Sequence, residues 1–174
     1  WSIKDKKKFW YEIWNFTSII GKLKKPILEN KNDFVNSTFF KNCELNYTKN
    51  LIQKKNNTDS IVFYSEKGFK RVISWKELDL QVSKIAHYFK EKKIKKGDRI
   101  AAVLPNIPET VISFLGTAKI GAIWSSCSAD FGPIAIIDRF KQIKPKILII
   151  ADFYYYNNKK IDTLKKFEKI KKKL

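Results

Sequence analysis

The sequence has few glycines, histidines and cysteines, and each shortage excludes a kind of site. With only six glycines among 174 residues, it contains neither a GxGxxG nor a GxxxxGK motif, which bind phosphates through closely approaching backbone. The two cysteines, Cys43 and Cys127, and the one histidine, His87, lack the spacing of zinc ligands. His87 falls within a predicted helix, far from any serine or cysteine partner. We therefore expect no metal site, and we interpret His87 as a partly exposed helix residue rather than a catalytic base.

The sequence also lacks methionine and long apolar runs. No run approaches the roughly 18 apolar residues that a membrane-spanning helix needs, and the opening WSIKDKKKFW has no signal-peptide core. The two distant cysteines are typical of a reduced, cytosolic protein. We therefore predict a cytoplasmic protein with no membrane partner. Because the chain has no methionine and stops in a lysine-rich amphipathic stretch, we also expect it to be part of a longer polypeptide.

Arginine is scarce although the formal charge is +19. Such a charge is typical of proteins that bind nucleic acids or membranes. However, only Arg71, Arg99 and Arg139 among the 36 basic residues are arginine, and proteins that grip phosphates or bases favour its bidentate guanidinium. The abundant lysine, asparagine and isoleucine instead suggest an AT-rich genome and a solvated lysine surface. A basic nucleic-acid-binding module stays as an alternative, and the positive field would in either case attract anionic substrates.

The opening segment predicts an amphipathic helix followed by irregular chain. Its apolar face comprises Phe9, Trp10, Ile13, Trp14 and Phe16. Gly21 and Pro26 end the helical pattern, and the asparagine- and lysine-rich stretch that follows predicts one short helix near 46–53. We interpret residues 1–58 as an N-terminal cap and residues 59–174 as the first part of a larger domain.

A β-hairpin and a long helix are predicted next. Residues 61–74 (IVFYSEKGFKRVIS) contain two alternating runs around a turn. Ser74 and Glu77 then have the spacing of a capping box, in which each side chain binds a free backbone amide at a helix start. The apolar face of the helix comprises Leu78, Val82, Ile85, Ala86 and Phe89.

Beyond Gly97, short apolar runs alternate with helical segments. The predicted strands are Arg99–Leu104, Ala122–Trp124 and Lys146–Ala151, and the predicted helices are Pro108–Lys119, Ile134–Ile143 and Ile161–Leu174. Such apolar runs are typical of buried parallel strands. The predicted fold class is α/β: a helical and irregular cap, a β-hairpin, and alternating β/α units that form part of a mostly parallel sheet.

Two segments follow strand ends, where α/β sheets bind ligands. The first is Ser125–Gly132 (SSCSADFG), whose small side chains would let a ligand approach the backbone closely; a tight turn capped by Asp130 is the alternative. The second is Tyr154–Lys160 (YYYNNKK), which offers aromatic faces and lysines; a basic surface loop is the alternative. The residue pattern leaves both alternatives open.

Four stretches together resemble the acetoacetyl-CoA synthetases, within the adenylate-forming superfamily. They are Gly97–Gly132 (GDRIAAVLPNIPETVISFLGTAKIGAIWSSCSADFG), Asp138–Asp162, Glu44–Ile52 (ELNYTKNLI) and the opening WSIKDKKKFWYEIWNF. The opening resembles the N-terminal cap shared with acetyl-CoA synthetases. The piece WSSCSADFG favours the acetoacetate branch, since acetyl- and propionyl-CoA synthetases carry a glycine- and phenylalanine-containing segment there. The resemblance covers nearly the whole chain and implies the first subdomain of the adenylate-forming fold.

The resemblance implies a two-step reaction, in which acetoacetate attacks the α-phosphate of ATP and the thiol of coenzyme A then displaces AMP. It implies ATP, Mg²⁺ and coenzyme A as the molecules bound. This sequence lacks the family's phosphate loop, its adenine and ribose motif, and its mobile C-terminal domain with the catalytic lysine. We therefore assign no catalytic residue, and we expect this chain to be inactive without the remainder of its polypeptide. Another short-chain acyl-CoA synthetase is the alternative, because the acyl pocket lies mostly in the missing part.

The resemblance also implies a set of coenzyme-binding residues. In acetyl-CoA synthetases, the segment matching Ser128–Asp130 lines the coenzyme A site, and the one matching Tyr156–Lys159 holds its phosphates through arginines. The expected binding residues are Ser128, Ala129, Asp130, Tyr156, Asn157, Asn158, Lys159 and Lys160. Tyr156 and Lys159 occupy the arginine positions. A lysine there has the positive charge of arginine but not its bidentate guanidinium, and a tyrosine has only a hydroxyl group.

Overall fold

A computed structural model describes residues 1–173 and divides the chain into two compact units, Trp1–Leu51 (unit 1) and Ile52–Leu174 (unit 2). The division falls ahead of position 58, because Ile52 packs into a core cluster of unit 2 with Ile73 and Leu78. The backbone carbonyls of Asn56 and Thr58 also accept hydrogen bonds from N–H groups at the start of a helix of unit 2. The functional division at 58/59 stays a prediction.

Unit 1 combines one amphipathic helix with very short paired strands. The elements are α1 (Lys6–Phe16), β1 (Gly21–Lys22), β2 (Leu28–Glu29), β3 (Thr38–Phe39), β4 (Glu44–Leu45) and α2 (Tyr47–Leu51). Strand β1 pairs with β4 and β2 pairs with β3, both antiparallel. The predicted opening helix is confirmed, and Asp5 caps it by accepting a hydrogen bond from the N–H of Lys8. Only Trp14 of α1 is buried.

Unit 2 begins with the predicted hairpin and helix. The hairpin strands are β5 (Asp59–Tyr64) and β6 (Lys70–Ser74), and helix α3 (Trp75–Glu91) follows them. Half of the predicted capping box is present, because the hydroxyl of Ser74 accepts a hydrogen bond from the N–H of Glu77. The carboxylate of Glu77 accepts instead from the side-chain amide of Gln81, one turn further along the helix.

The predicted parallel sheet is confirmed. The elements are β7 (Arg99–Val103), α4 (Pro108–Lys119), β8 (Ile123–Cys127), α5 (Pro133–Ile143) and β9 (Ile147–Ile150). Strand β7 lies between β8 and β9 and is parallel to both. Residues 100–103 of β7 have no solvent exposure, so the apolar run of this strand is explained by burial on both faces.

Three sequence predictions in unit 2 are wrong in detail. The final elements are β10 (Phe153–Tyr156), β11 (Lys159–Asp162) and α6 (Leu164–Lys171). Residues 125–127 belong to strand β8 rather than to a loop, because they pair with β7. The segment after β9 is an antiparallel hairpin rather than a loop. Ile161 lies in that hairpin and Leu164 is half exposed, so α6 buries Phe167 and Ile170 but not the full predicted face, and Leu174 lies outside the described residues.

Candidate functional site

The loop between β8 and α5, residues 128–132 (the β8–α5 loop), lies at the carboxyl end of the parallel sheet. Ser128 and Asp130 are exposed, whereas Ala129 between them is buried. A hydrogen bond from the hydroxyl of Ser128, then one from its own backbone N–H, lowers the pKa of Asp130. The loop therefore presents an ionised carboxylate at the edge of the sheet.

Lys166 of α6 donates two hydrogen bonds to the backbone of this loop. Its Nζ donates to the carbonyl oxygen of Ala129 at 2.5 Å and to that of Phe131 at 3.0 Å. Burial lowers the pKa of Lys166, and the carboxylate of Asp130 partly offsets that effect. Sequence reasoning missed this residue, because one lysine in a lysine-rich helix carries no local signal of a buried contact.

Strands β10 and β11 are joined by the two residues Asn157 and Asn158. Both have left-handed backbone, with φ of 48° and 62°. Two successive positive-φ residues are what a type I′ hairpin turn requires, and asparagine tolerates them well. The Asn-Asn pair between two short runs was thus an available signal for this hairpin, although the lysines that follow favoured a loop.

The hairpin register sends the two predicted lysines to opposite faces. Tyr156 lies opposite Lys159, and Tyr155 lies opposite Lys160. Residues directly opposite in an antiparallel pair share a face, and neighbouring residues along a strand do not. Consistent with this register, the Nζ of Lys160 lies 4.0 Å from the ring centre of Phe153. The two lysine side chains therefore start from opposite faces of the hairpin.

One face of the hairpin lies near the β8–α5 loop. Burial raises the pKa of Tyr154, and the negative charge of Asp130 raises it further. By the hairpin register, Tyr154 shares its face with Tyr156 and Lys159. Asp130 and Tyr154 are therefore close enough to interact electrostatically, and by register Lys159 lies on the face of Tyr154 whereas Lys160 lies on the other face.

The tip of the hairpin contacts the turn between β5 and β6. The backbone N–H of Asn158 donates to Oε2 of Glu66 at 3.2 Å. The Nζ of Lys67, in the same turn, lies 5.7 Å from the ring centre of Tyr155. These contacts connect the hairpin tip to residues about ninety positions earlier in the chain, and no local pattern could have indicated them.

The remaining candidates do not form a second site. The imidazole of His87 is three-quarters exposed and lies 3.3 Å from the carboxylate of Glu91, one helical turn away. Within residues 1–173, no group of three or more His, Cys, Asp or Glu side chains could hold a metal ion. No helix in the same range is long and apolar enough to cross a membrane.

The edge of the sheet offers several polar groups. It combines exposed loop backbone, the carboxylate of Asp130, tyrosine hydroxyls and the ammonium of Lys159; the ammonium and the hydroxyls are hydrogen-bond donors of the kind that bind phosphate groups, whereas the carboxylate is not.

Comparison with known proteins gives one family and a consistent set of relatives. Residues 51–174 match the family described as AMP-binding enzyme. Acetoacetyl-coenzyme A synthetase of Rhizobium meliloti is 37% identical over 100% of this chain and 27% of its own length. Acetoacetyl-CoA synthetase of Rattus norvegicus is 33% identical over 100% of this chain and 26% of its own length.

A solved structure agrees with these relatives. Acetoacetyl-CoA synthetase from Streptomyces lividans superimposes with a TM-score of 0.94 at 26% sequence identity. The match covers 100% of this chain and 27% of the solved chain. The chain described above thus spans about a quarter of the length of the relatives it matches.

Proposed function

Because this chain belongs to the AMP-binding enzyme family, we propose that it is the first part of an acetoacetate–CoA ligase. The observation that carries the proposal is the similarity, along the whole chain, to relatives named acetoacetyl-CoA synthetase at 33–37% identity. The same name belongs to the solved structure with the same fold.

The proposed reaction has two steps. A carboxylate oxygen of acetoacetate attacks the α-phosphorus of ATP, and pyrophosphate leaves to give acetoacetyl-adenylate. The sulfur of coenzyme A then attacks the acyl carbon, AMP leaves, and the thiol proton is lost to solvent or a base. Mg²⁺ would neutralise charge on the phosphates of ATP. The described residues supply no ligand set for Mg²⁺, so we assign it none here.

In this proposal the chain contributes the coenzyme A side of the site. The β8–α5 loop would approach the coenzyme through its backbone at Ser128 and Asp130, while buried Ala129 fixes the loop from inside. Lys159 would contact a phosphate, with the hydroxyl of Tyr156 on the same face. Asn157 and Asn158 would set the hairpin tip at the required distance. Lys160, on the opposite face, would add only long-range attraction.

The working protein would need the remainder of its polypeptide, and we expect this chain alone to have no ligase activity. Its partners would be the small molecules acetoacetate, ATP and coenzyme A, with neither nucleic acid nor membrane. The formal charge of +19 would attract all three anions. We place the activity in the cytoplasm, in ketone-body and lipid metabolism.

The first experiment tests the reaction itself. We expect the full-length polypeptide to exchange labelled pyrophosphate into ATP only when acetoacetate is added, and to form acetoacetyl-CoA when coenzyme A is supplied. Exchange that responds better to acetate, propionate or butyrate would instead support another short-chain acyl-CoA synthetase. DNA binding that falls steeply with salt, without any exchange, would support a nucleic-acid-binding module.

A second experiment tests the hairpin face, using the two adjacent lysines as a matched pair. We expect Lys159→Glu in the full-length enzyme to raise KM for coenzyme A about tenfold or more, since one charge-assisted phosphate contact is lost. Acetoacetate-dependent exchange should be unchanged. Lys160→Glu makes the same charge change on the other face and should have a much smaller effect. Equal effects of the two variants would exclude a specific contact at Lys159.

A further inference from the structure

We propose that Lys166 is a positioning residue that holds the β8–α5 loop in the shape that receives coenzyme A. This inference rests on the proposed function, since it names a residue that supports the same site. Lys166 itself would not touch the coenzyme, because its ammonium group already donates to the carbonyl oxygens of Ala129 and Phe131.

The contacts of Lys166 are directed at the loop backbone. Its Nζ bonds the carbonyl oxygens of Ala129 and Phe131 at 2.5 and 3.0 Å. These two carbonyls flank Asp130 on both sides. Two bonds to one ammonium group fix the separation and direction of the two peptide groups, and so they set where the residue between them points. A single bond would leave the loop free to rotate about it.

The contact between Lys166 and the loop lies next to buried residues of the hydrophobic core. Cys127, immediately before the loop, is buried, and so is Phe167, immediately after Lys166. Both belong to one hydrophobic cluster of unit 2. The loop and α6 are thereby anchored to the same cluster, and the ammonium group joins them through two partly buried hydrogen bonds.

The charges around the loop favour the same arrangement. Asp130 lies close enough to act electrostatically on both Lys166 and Tyr154. The carboxylate therefore interacts electrostatically with the ammonium group of Lys166 and with Tyr154 of the hairpin. Loss of the ammonium group would leave two carbonyl oxygens without their donor at a partly buried position, and these would reorient toward water. The loop and the carboxylate of Asp130 would shift with them.

The test uses the full-length enzyme and three variants. Lys166→Met keeps the aliphatic stem and removes the ammonium group. Lys166→Gln keeps a shorter, neutral donor. Lys165→Met removes one charge from the neighbouring exposed position of the same helix and is the matched control. For each variant, acetoacetate-dependent pyrophosphate exchange is measured alongside KM for coenzyme A in product formation.

We expect Lys166→Met to raise KM for coenzyme A about fivefold or more, with exchange rates close to those of the parent enzyme. Lys166→Gln should give a smaller increase, and Lys165→Met should change neither quantity. If Lys166→Met does not fold, Lys166→Gln decides: a raised KM with normal exchange supports the positioning role, and an unchanged KM overturns it.

Two other results would overturn the inference. One is an unchanged KM for coenzyme A in a folded Lys166→Met enzyme. The other is an equal loss of exchange and of coenzyme use, which would mean that Lys166 supports the whole fold rather than this loop. A parent enzyme that uses coenzyme A, with Lys166 variants that behave normally, removes only this inference. A parent enzyme without acetoacetate-dependent exchange removes the proposed function instead.

Discussion

In unit 1 every paired strand is two residues long, whereas in unit 2 the central strand β7 has five residues, four of them without solvent exposure. The three clusters of buried apolar side chains found among residues 1–173 all lie in unit 2. Unit 1 instead relies on aromatic pairs, such as Trp14 with Phe40, and on side-chain bonds to backbone, such as Asn50 to Ile20.

This difference indicates how each unit obtains its order. Parallel strands join residues that are far apart in sequence, so the order of unit 2 depends on a shared core. The strands of unit 1 are too short to share such a core, and polar side chains fix the chain between them: the carboxylate of Asp33, for example, accepts hydrogen bonds from the N–H groups of Val35 and Asn36. We therefore expect core substitutions to affect unit 2 more strongly than comparable changes affect unit 1.

The largest expected effect tests this difference with the same substitution in both units. Phe140 is completely buried in unit 2, whereas Phe16 is 86% exposed in unit 1. We expect Phe140→Ala to lower the free energy of unfolding by about 3–5 kcal/mol, because a large cavity remains. Phe16→Ala should change it by no more than about 0.5 kcal/mol. Urea unfolding measures both, and a large loss for Phe16→Ala would show that its ring is covered in solution.

An intermediate loss of stability is expected when two closely packed glycines, one in each unit, are replaced by alanine. A Cβ on Gly116 would lie 2.3 Å from Cγ2 of Ile85, where α3 and α4 touch, and one on Gly21 would lie 2.8 Å from the carbonyl oxygen of Glu44. We expect Gly116→Ala to cost about 1–3 kcal/mol, since overpacking forces two helices apart. Gly21→Ala should cost less, because a pair of two-residue strands separates more easily than two long helices.

Hydrogen exchange resolved by unit measures both changes. The control for the first is Ile85→Ala, which removes the clashing methyl group, so the cost of Gly116→Ala should shrink in that background. If Gly21→Ala proves the more costly substitution, unit 1 is packed more rigidly than its short strands suggest.

The smallest expected effect concerns the pKa values of two aspartates, one in each unit, and how they depend on salt. The side-chain amide of Asn36, followed by its backbone N–H, lowers the pKa of Asp33 in unit 1. Lys146, followed by the N–H of Lys95, lowers the pKa of Asp98 in unit 2. A lowered folded-state pKa means that each group stabilises its unit above the ordinary value of 3.8 and loses that contribution as pH falls through the folded-state pKa.

Salt should separate the two aspartates. The carboxylate of Asp98 lies 2.8 Å from the Nζ of Lys146, whereas the bonds of Asp33 come from neutral groups. We expect added salt to raise the pKa of Asp98 more than that of Asp33, because salt screens exposed ion pairs. Carboxyl carbon NMR titration at low and high salt measures this. Equal shifts would mean that Lys146 acts on Asp98 only as a hydrogen-bond donor.

The sequence predicted most of the elements, because their signals are local. Helical spacing located α1, and the cap at Ser74 located α3. The alternation of apolar runs and helices predicted the parallel sheet. The errors occurred where pairing partners decide the outcome: Ser125 and Ser126 look like loop residues by composition, but pairing with β7 makes them strand.

For the candidate site, the sequence by itself determined which segments follow the strand ends, since that depends only on the order of elements along the chain. Tertiary structure alone decided which residues meet there. It separated Lys159 from Lys160 by hairpin register, and it brought Lys166 to carbonyl groups 35 and 37 residues away. Local patterns carry no information about such distant contacts, because packing and register determine where each side chain points.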